Sequence, residues 1–451
     1  MSKLNVAKFG GTSVADYTAM GRCAAIIEQN PETKLVLISA CSGVTNLLVE
    51  LAIGIEDKEI RDQKLSQLAS IHQQVWQQLS DSSHIKTAVR EILAGVASAA
   101  EAASYHASKK LTDHIVASGE LMSTLLFTQL LTERGLSAQR FDIRDVMRTD
   151  DNFGKAEAQL GYILSLTQEK LLPLCQHSVV VSQGFIGSDV EGNTTTFGRG
   201  GSDYSAALLA EALQADELQI WTDVPGIYTT DPRIAKNARP ISEISFSEAS
   251  EMANFGAKIL HPSTLVPALR CDIPVFVGSS KQPDAGGTWI RQQVQSEPLF
   301  RALALRRNQT MVTLRSASMF HAYGFLAKVF EVLAKHKISV DLITTSEISV
   351  SLTLDQTDTS GGTPELPHEV KLELEQLCTV EVEHNLCLVA LIGNNISKQK
   401  GYASRVFSSA EDFNLKMICY GASPHNLCFL VHEDESCAAI QKLHLDLFEA
   451  E

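Results

Sequence analysis

The chain has 451 residues, room for about two to four domains whose cores need no disulfide or metal staple. Hydrophobic residues make up 44% and charged ones 20%, which excludes a disordered chain and fits an ordinary soluble globular protein. Against 53 Asp and Glu stand 38 Lys and Arg, a net charge of −15 with no basic cluster, so neither nucleic acid nor an anionic membrane is expected as the main partner.

The first expected element is a short strand over residues 4–9, which runs into Gly10-Gly11-Thr12-Ser13 and then a helical stretch from about 17 to 29. A second strand over 34–39 ends in Ala40-Cys41-Ser42-Gly43-Val44-Thr45-Asn46. Strand, Gly/Ser loop and helix in succession form the unit of a parallel sheet with crossover helices. Residues 57–104, rich in Gln, Leu and Ala, read as a helical insertion over the sheet. Further strands are expected at 139–142, 178–183, 217–221 and 273–277, with helices at 120–134, 156–171, 204–213 and 247–255. The alternation lasts to about residue 291, and the polar stretch 292–300, with Pro298, reads as a linker.

Beyond the linker the sequence repeats. GFLAKVFEVLAKHKISVDLITTSEISVSLTL from Gly324 aligns with GYASRVFSSAEDFNLKMICYGASPHNLCFLV from Gly401. Each copy reads as helix, strand, polar turn and strand, preceded by an apolar strand at 311–314 or 386–392. Two copies can pair their sheets with each other and need no longer array.

Several motifs carry chemistry. Lys8 ends the first strand, and Gly10 and Gly11 after it let the backbone approach an anion closely, so Lys8 can reach the oxygens of a transferring phosphate. No G-x-x-x-x-G-K-[ST] occurs and no G-x-G-x-x-G follows a strand, which disfavours a P-loop or a dinucleotide site. In FGRGGSDY, residues 197–204, three glycines free the backbone and Arg199 suits a carboxylate held bidentately. Ser202 or Asp203 would cap the helix that follows. In WTDVPGIYTTDPR, residues 221–233, Tyr228 can lie on a flat base, and Arg233 with Lys258 supplies charge for a polyphosphate. Ser118-Gly119-Glu120 opens a helix with an acid in its first turn.

KFGGTS at 8–13, SGE at 118–120, GRGGSD at 198–203, TDVPGIYTTDPR at 222–233 and FGAKILHP at 255–262 occur together in the order found in aspartokinases of the amino-acid kinase family. The chain resembles that family over essentially its whole length, and its repeats resemble paired ACT domains. The similarity is to the monofunctional, lysine-sensitive members, with no room for the homoserine dehydrogenase domain of the bifunctional ones. The resemblance implies a three-layer, mostly parallel α/β kinase domain over 1–291, a linker over 292–300 and a regulatory region over 301–451. Its two α+β, ferredoxin-like ACT units would span about 312–385, and about 386–451 plus residues near 301–311.

The implied reaction takes ATP, with Mg2+, and L-aspartate to ADP and 4-phospho-L-aspartate, the first step toward lysine, threonine and methionine. Competing readings are a kinase of another small acid, such as glutamate or carbamate, and a catalytically inert amino-acid sensor. By resemblance, Lys8 stabilises the transferring group and Asp203 orients Lys8. Arg199 holds the α-carboxylate of aspartate and Glu120 its ammonium, while Ser39, Thr45 and Ser202, with Gly200 and Gly201 in the same loop, place the reacting carboxylate. Gly10, Gly11, Thr222, Asp223, Tyr228, Arg233, Lys258 and Ile259 surround ATP, and no protein ligand is assigned to the metal.

L-Lysine is expected to inhibit from the first repeat. There Gly324, Phe325 and Leu326 open a helix, and Asp341, after Ser339 and Val340, suits one ammonium. Glu347, after Ser346, suits the other, and Met319 and Ala322 would line the pocket. The second repeat offers Met417 and Pro424 in place of the two acids. A homodimer through the ACT domains, and a tetramer with lysine, are further expectations. The N-terminus MSKLNVAKFGG lacks the pattern of a signal peptide and no run of 18 apolar residues occurs, so a cytoplasmic location is expected. The nine cysteines, an odd number without a C-x-x-C pair, read as reduced thiols.

Overall fold

The computed structural model describes residues 3–80, 82–198, 200–256, 260, 262–316, 319, 323–355 and 364–449. The chain divides into two compact units. The first comprises Met1–Ile227, Pro240–Phe246 and Ile259–Val294, and the second Tyr228–Arg239, Ser247–Lys258 and Gln295–Glu451. A single boundary at 291 therefore does not describe the chain path, because two short segments upstream of it pack with the C-terminal unit.

The first unit is built on β1 (Asn5–Phe9), β2 (Thr33–Ile38), β3 (Ala138–Arg140), β4 (Val179–Gln183), the hairpin β5 (Ile186–Ser188) and β6 (Thr194–Thr196), β7 (Glu217–Thr222), β8 (Glu243–Ser245), β9 (Val275–Ser279) and β10 (Gly287–Arg291). Apart from the hairpin these make one sheet in the order β3-β4-β2-β1-β7-β9-β10-β8. Every neighbouring pair is parallel except β9 with β10. β1 is buried along its whole length, as expected of a central strand covered on both faces. Its alternation sends Ala7 and Phe9 into a core with Met20, Leu48, Leu126 and Phe127 from the helices Tyr17–Gln29, Val44–Ala52 and Ser118–Glu133. Lys8 points to the other face, where the helix Gly201–Leu213 lies, so helices cover both sides and the sheet is the middle of three layers.

The expected helical insertion is two helices, Lys58–Trp76 and Ser83–Tyr105, the first capped by Asp57, whose Oδ1 accepts the Glu59 N–H at 2.8 Å. The helix expected over 156–171 starts only at Leu160, because Ala156 N–H is committed to Thr196 O at 2.9 Å and Ala158 bridges to Thr149. The stretch Lys109–Glu133 is long and apolar enough to cross a membrane by composition, yet its most apolar part is 72% buried inside this unit.

The second unit carries β11 (Ala302–Arg315), β12 (Val340–Thr345), β13 (Ser349–Leu354), β14 (Thr379–Ile392), β15 (Met417–Tyr420) and β16 (Asn426–His432), in the order β12-β13-β11-β14-β16-β15 with all pairs antiparallel. β11 and β14, of 14 residues each, extend well beyond the expected 311–314 and 386–392 and pair along almost all of their length, with register shifts between Arg306 and Met311. One half of each strand serves each repeat. Val312, Leu314, Val329, Leu352, Val370 and Val380 form the core of the first, and Leu303, Val389, Val406, Phe429 and Ile440 that of the second. The strands keep the offset that places Gly324 on Gly401, and they correct the counterpart expected for Asp341, which is not Met417. Val340 and Met417 open equivalent strands, so the counterpart of Asp341 is Ile418, which is exposed and equally unable to hold an ammonium.

The helix Phe246–Asn254 contributes Glu248 to this unit. Its carboxylate, fully buried, accepts Arg301 Nε at 2.7 Å and Asn394 Nδ2 at 2.6 Å.

Candidate active site

In the first unit β4, β2, β1 and β7 lie side by side and parallel, so their C-terminal loops come together at one edge, the usual place for a ligand in such sheets. Lys8, one residue from the end of β1, places Nζ 2.5 Å from Asp203 Oδ1, and both side chains are nearly buried. The helix that carries Asp203 is not capped by Ser202 or Asp203. Gly200, at φ 76°, takes the cap position without a side chain, and Asp203 is left to face Lys8. Gly10 N–H donates to Trp221 O at 3.1 Å and joins the β1 and β7 loops. A Cβ on Gly10 would lie 3.6 Å from Lys8 Nζ, so glycine keeps that side of the ammonium open.

Glu120, in the first turn of Ser118–Glu133, is 3% exposed. Its Oε1 accepts the Ala40 N–H at 3.1 Å, while Oε2 is buried with no hydrogen-bond partner. Burial pushes this carboxyl up to about 7, against the pull of the Ala40 and Glu120 N–H groups and the Lys8 charge. A buried acceptor left unpaired costs about 1–3 kcal/mol, so this oxygen is available to a further donor. Gly119 allows the helix this close: a Cβ there would meet Ala40 Cβ at 2.7 Å. Ser123 Oγ donates to Ser39 O at 2.9 Å and fixes the end of β2. Ser39 and Thr45 are half-buried, Thr45 in the first turn of Val44–Ala52. Ser202 packs against Gly184, where a Cβ would come within 2.7 Å of Ser202 Cβ.

The β7 loop is tied to the end of β9, since Thr222 O accepts both the N–H and the hydroxyl of Ser280, at 2.8 and 3.0 Å. Asp223, exposed, lies 3.9 Å from Lys281 Nζ. Tyr228 and Arg233 belong to the second unit, where Arg233 Nη2 is 2.7 Å from Asp231 Oδ2. Arg199, Lys258, Ile259 and Ala322 lie outside the described residues.

Two positions escaped the sequence. Asp113 is buried. Its Oδ2 accepts the N–H groups of Gly154 and Thr196, both at 2.9 Å, and its Oδ1 accepts the Thr196 hydroxyl at 2.9 Å, which fixes the base of the FGRGG loop. Gln183, at the end of β4, donates to Thr124 Oγ1 and accepts the Ile143 N–H. The only signal was a polar residue at an apolar position of a helix or strand.

The sequence pattern of the amino acid kinase family matches residues 3–279, and that of the ACT domain matches 312–363 and 389–447. Lysine-sensitive aspartokinase 3 of Escherichia coli strain K12 is 55% identical over 450 residues, covering 100% of both chains. The chain belongs to the aspartokinase family. Among solved structures, E. coli aspartokinase III with aspartate and ADP (R-state) superposes with a TM-score of 0.91 at 55% identity, covering 99% of this chain and 100% of that one. The same enzyme with lysine and aspartate (T-state) gives a TM-score of 0.85 at 54% identity, covering 99% of each.

In this aspartokinase-family chain the first ACT repeat opens its helix Phe325–Lys335 with Gly324 at φ 82°, and the second repeat does the same with Gly401 at φ 80°. Met319 and Phe325 pack against the core of the first repeat, and Leu326 is exposed. Asp341, early in β12, pairs with Arg306, whose guanidinium also reaches Gln309 Oε1 at 3.0 Å. Ser339 Oγ lies 3.4 Å from Asp355 Oδ2, and Val340 is half-buried. Ser346 and Ser349 join their hydroxyls at 2.7 Å across the turn that holds Glu347 in solvent.

Proposed function

We propose that the protein transfers the γ-phosphoryl group of ATP to the side-chain carboxylate of L-aspartate, and that L-lysine inhibits it from the first ACT repeat. The observation that carries the reading is the Lys8–Asp203 pair at the strand ends together with the unpartnered oxygen of Glu120. The relatives named for aspartate, ADP and lysine support it.

The nucleophile needs no base, because a carboxylate with a pKa near 3.9 is ionised at neutral pH. One of its oxygens forms a bond to the γ-phosphorus while the bond to the β–γ bridging oxygen breaks, and ADP leaves with that electron pair. Catalysis is then positioning plus charge stabilisation. Lys8 stabilises the equatorial oxygens and Asp203 holds Lys8 in place. Arg199 takes the α-carboxylate of aspartate and Glu120 its ammonium, and Ser39, Thr45 and Ser202 align the reacting carboxylate. Gly10, Gly11, Thr222, Asp223, Tyr228, Arg233, Lys258 and Ile259 receive the nucleotide.

Among the described residues no three His, Cys, Asp or Glu side chains are gathered to hold a metal. Mg2+ would enter with the ATP phosphates and would supply neutralisation of their charge. The regulatory reading places the lysine carboxylate at the helix start Gly324–Leu326 and its ammonium groups at Asp341 and Glu347. Met319, Ala322, Ser339, Val340 and Ser346 surround it, in a cytoplasmic homodimer joined through the ACT domains.

The test is ADP release coupled to a dehydrogenase, with aspartate, glutamate or carbamate as acceptor, with and without lysine and threonine. Turnover only with aspartate is expected. Turnover with another acid alone would replace the substrate, and none with any would leave an amino-acid sensor.

The two contacts proposed for aspartate, at Arg199 and Glu120, can be tested separately. Arg199→Ala should raise the aspartate KM by about 10–100-fold and leave the ATP KM within about twofold, because water does not replace bidentate recognition of a carboxylate. Saturation curves for both substrates check it, and a change confined to ATP would reassign Arg199.

The second concerns pH. In the empty site Glu120 holds its proton up to about pH 7, whereas an ammonium requires the carboxylate. Aspartate binding should therefore weaken about tenfold per unit as pH falls below 7, and level off above it. Calorimetry in buffers of different ionisation enthalpy should find a proton released on binding near pH 6 and none near pH 8.5. A flat profile would take Glu120 out of the ammonium site.

A further inference from the structure

The second ACT repeat lacks the two acids of the first at the equivalent positions, and its terminal helix is hydrogen-bonded to the segment Tyr228–Arg239. Within the second unit the segment Tyr228–Arg239 closes on itself through Thr229. Thr229 N–H donates to Arg239 O at 2.9 Å and Thr229 Oγ1 accepts Arg239 N–H at 3.0 Å. Thr229 O accepts Leu303 N–H at 2.7 Å, which ties the same residue to β11.

The hydroxyl of Thr229 lies 2.9 Å from His444 Nε2, and His444 Nδ1 lies 2.8 Å from Glu449 Oε1. His444, near the end of the helix Glu433–His444, is fully buried and its ring stacks on Phe448. Thr229 Oγ1 accepts the Arg239 N–H and can still give its own proton to Nε2. Nδ1 then carries the hydrogen that Glu449 receives, and every group in the chain is satisfied. Further bonds hold the rim of the loop. Asn237 Nδ2 donates to Glu449 Oε2 at 2.8 Å, Gln441 Nε2 donates to Ile234 O at 2.8 Å, and Arg239 donates to Phe448 O.

The loop gripped in this way carries Tyr228, next to Thr229 in sequence, and Arg233. We propose that His444 is a positioning residue for the nucleotide: through Thr229 it sets the backbone of Tyr228 and the turn that presents Arg233. The proposal rests on the reading that these two residues meet ATP. It gives the second repeat a role that needs no effector, since its helix holds nucleotide-binding residues in register. A carboxylate, an imidazole and a hydroxyl in line resemble a hydrolytic triad, but a fully buried imidazole has no access to a substrate, so the arrangement holds a loop rather than performing chemistry.

The test uses the full-length protein with Thr229→Val, Thr229→Ser, His444→Gln and Arg233→Ala. Thr229→Val keeps the shape and loses the hydroxyl. It should raise the ATP KM and the calorimetric Kd for ADP by about tenfold, with aspartate KM and saturated kcat within about twofold. Thr229→Ser should restore wild-type values. His444→Gln should match Thr229→Val, and the double variant should be no worse than either, because both break one network. An unchanged ATP KM in folded Thr229→Val and His444→Gln, with Arg233→Ala raising it, would overturn the role of His444 alone. An unchanged ATP KM in Arg233→Ala would remove the underlying reading and this proposal with it. Equal rises in both substrate KM values would reduce the network to support of the fold and overturn the proposal as well.

Discussion

Lys8→Ala should slow turnover by about 10²–10³-fold, the order found when one preorganised charge donor is removed from a transition state. The position of Lys8 adds a second effect. Its ammonium faces Asp203 in a nearly buried pair, and truncating one partner strands the other charge. The single variant should therefore melt lower than wild type as well as turn over slowly. Lys8→Ala combined with Asp203→Asn separates the two effects, because neutralising both partners should restore most of the melting temperature and none of the rate. Steady-state kinetics and a thermal melt on the three proteins check this. Near-normal turnover in folded Lys8→Ala would remove the residue from the mechanism.

Asp341→Ala should keep kinase activity and raise the lysine concentration for half inhibition by about 5–150-fold, the range spanned by ordinary allosteric coupling. In the structure the Asp341 carboxylate is held by Arg306. A bound ammonium would have to share or replace that partner, so lysine and Arg306 compete for one acid. Arg306 retains Gln309 Oε1 at 3.0 Å and Asn254 O at 3.3 Å when Asp341 is truncated, and the fold should persist. Lysine titrations of both proteins at fixed aspartate decide the matter. Identical curves would remove Asp341 from the effector site, and a wild type indifferent to lysine would end the regulatory reading while leaving the kinase assignment intact.

Much of this was legible in the chain because the signals are local. Short runs rich in apolar and β-branched residues that end in loop-forming residues gave β1, β2, β4 and β7, and parallel pairing forces the ends of such strands to one edge. The repeat was visible because helix, strand and turn recur with the same spacing, down to the glycines at 324 and 401, both at positive φ. What escaped was set by tertiary contact. The helix expected from Ala156 lost its first turn to Thr196, a partner forty residues away. Asp113 reads as an ordinary helical acid until Gly154 and Thr196 converge on it. The capping role expected of Ser202 or Asp203 failed because a glycine can end the loop without a side chain, which no propensity at 202 or 203 reveals. Least legible was the division of Tyr228–Arg239 and Ser247–Lys258 from the segments on either side. It depends on Glu248, Thr229 and residues more than fifty positions downstream.

The buried grip of Glu248 on Arg301 and Asn394 bears on how such chains can evolve. A recombination joint placed in the stretch around Pro298 would bring Glu248 from one parent and Arg301 with Asn394 from the other. Any parent with a different residue at 248 would deliver a guanidinium buried without its counter-ion, at about 3–5 kcal/mol, a large share of the stability of an average domain. Exchange of regulatory halves between relatives should thus succeed only when these three positions travel as a set. They are therefore expected to change in concert along a lineage, although they sit on opposite sides of the most natural place to cut the gene.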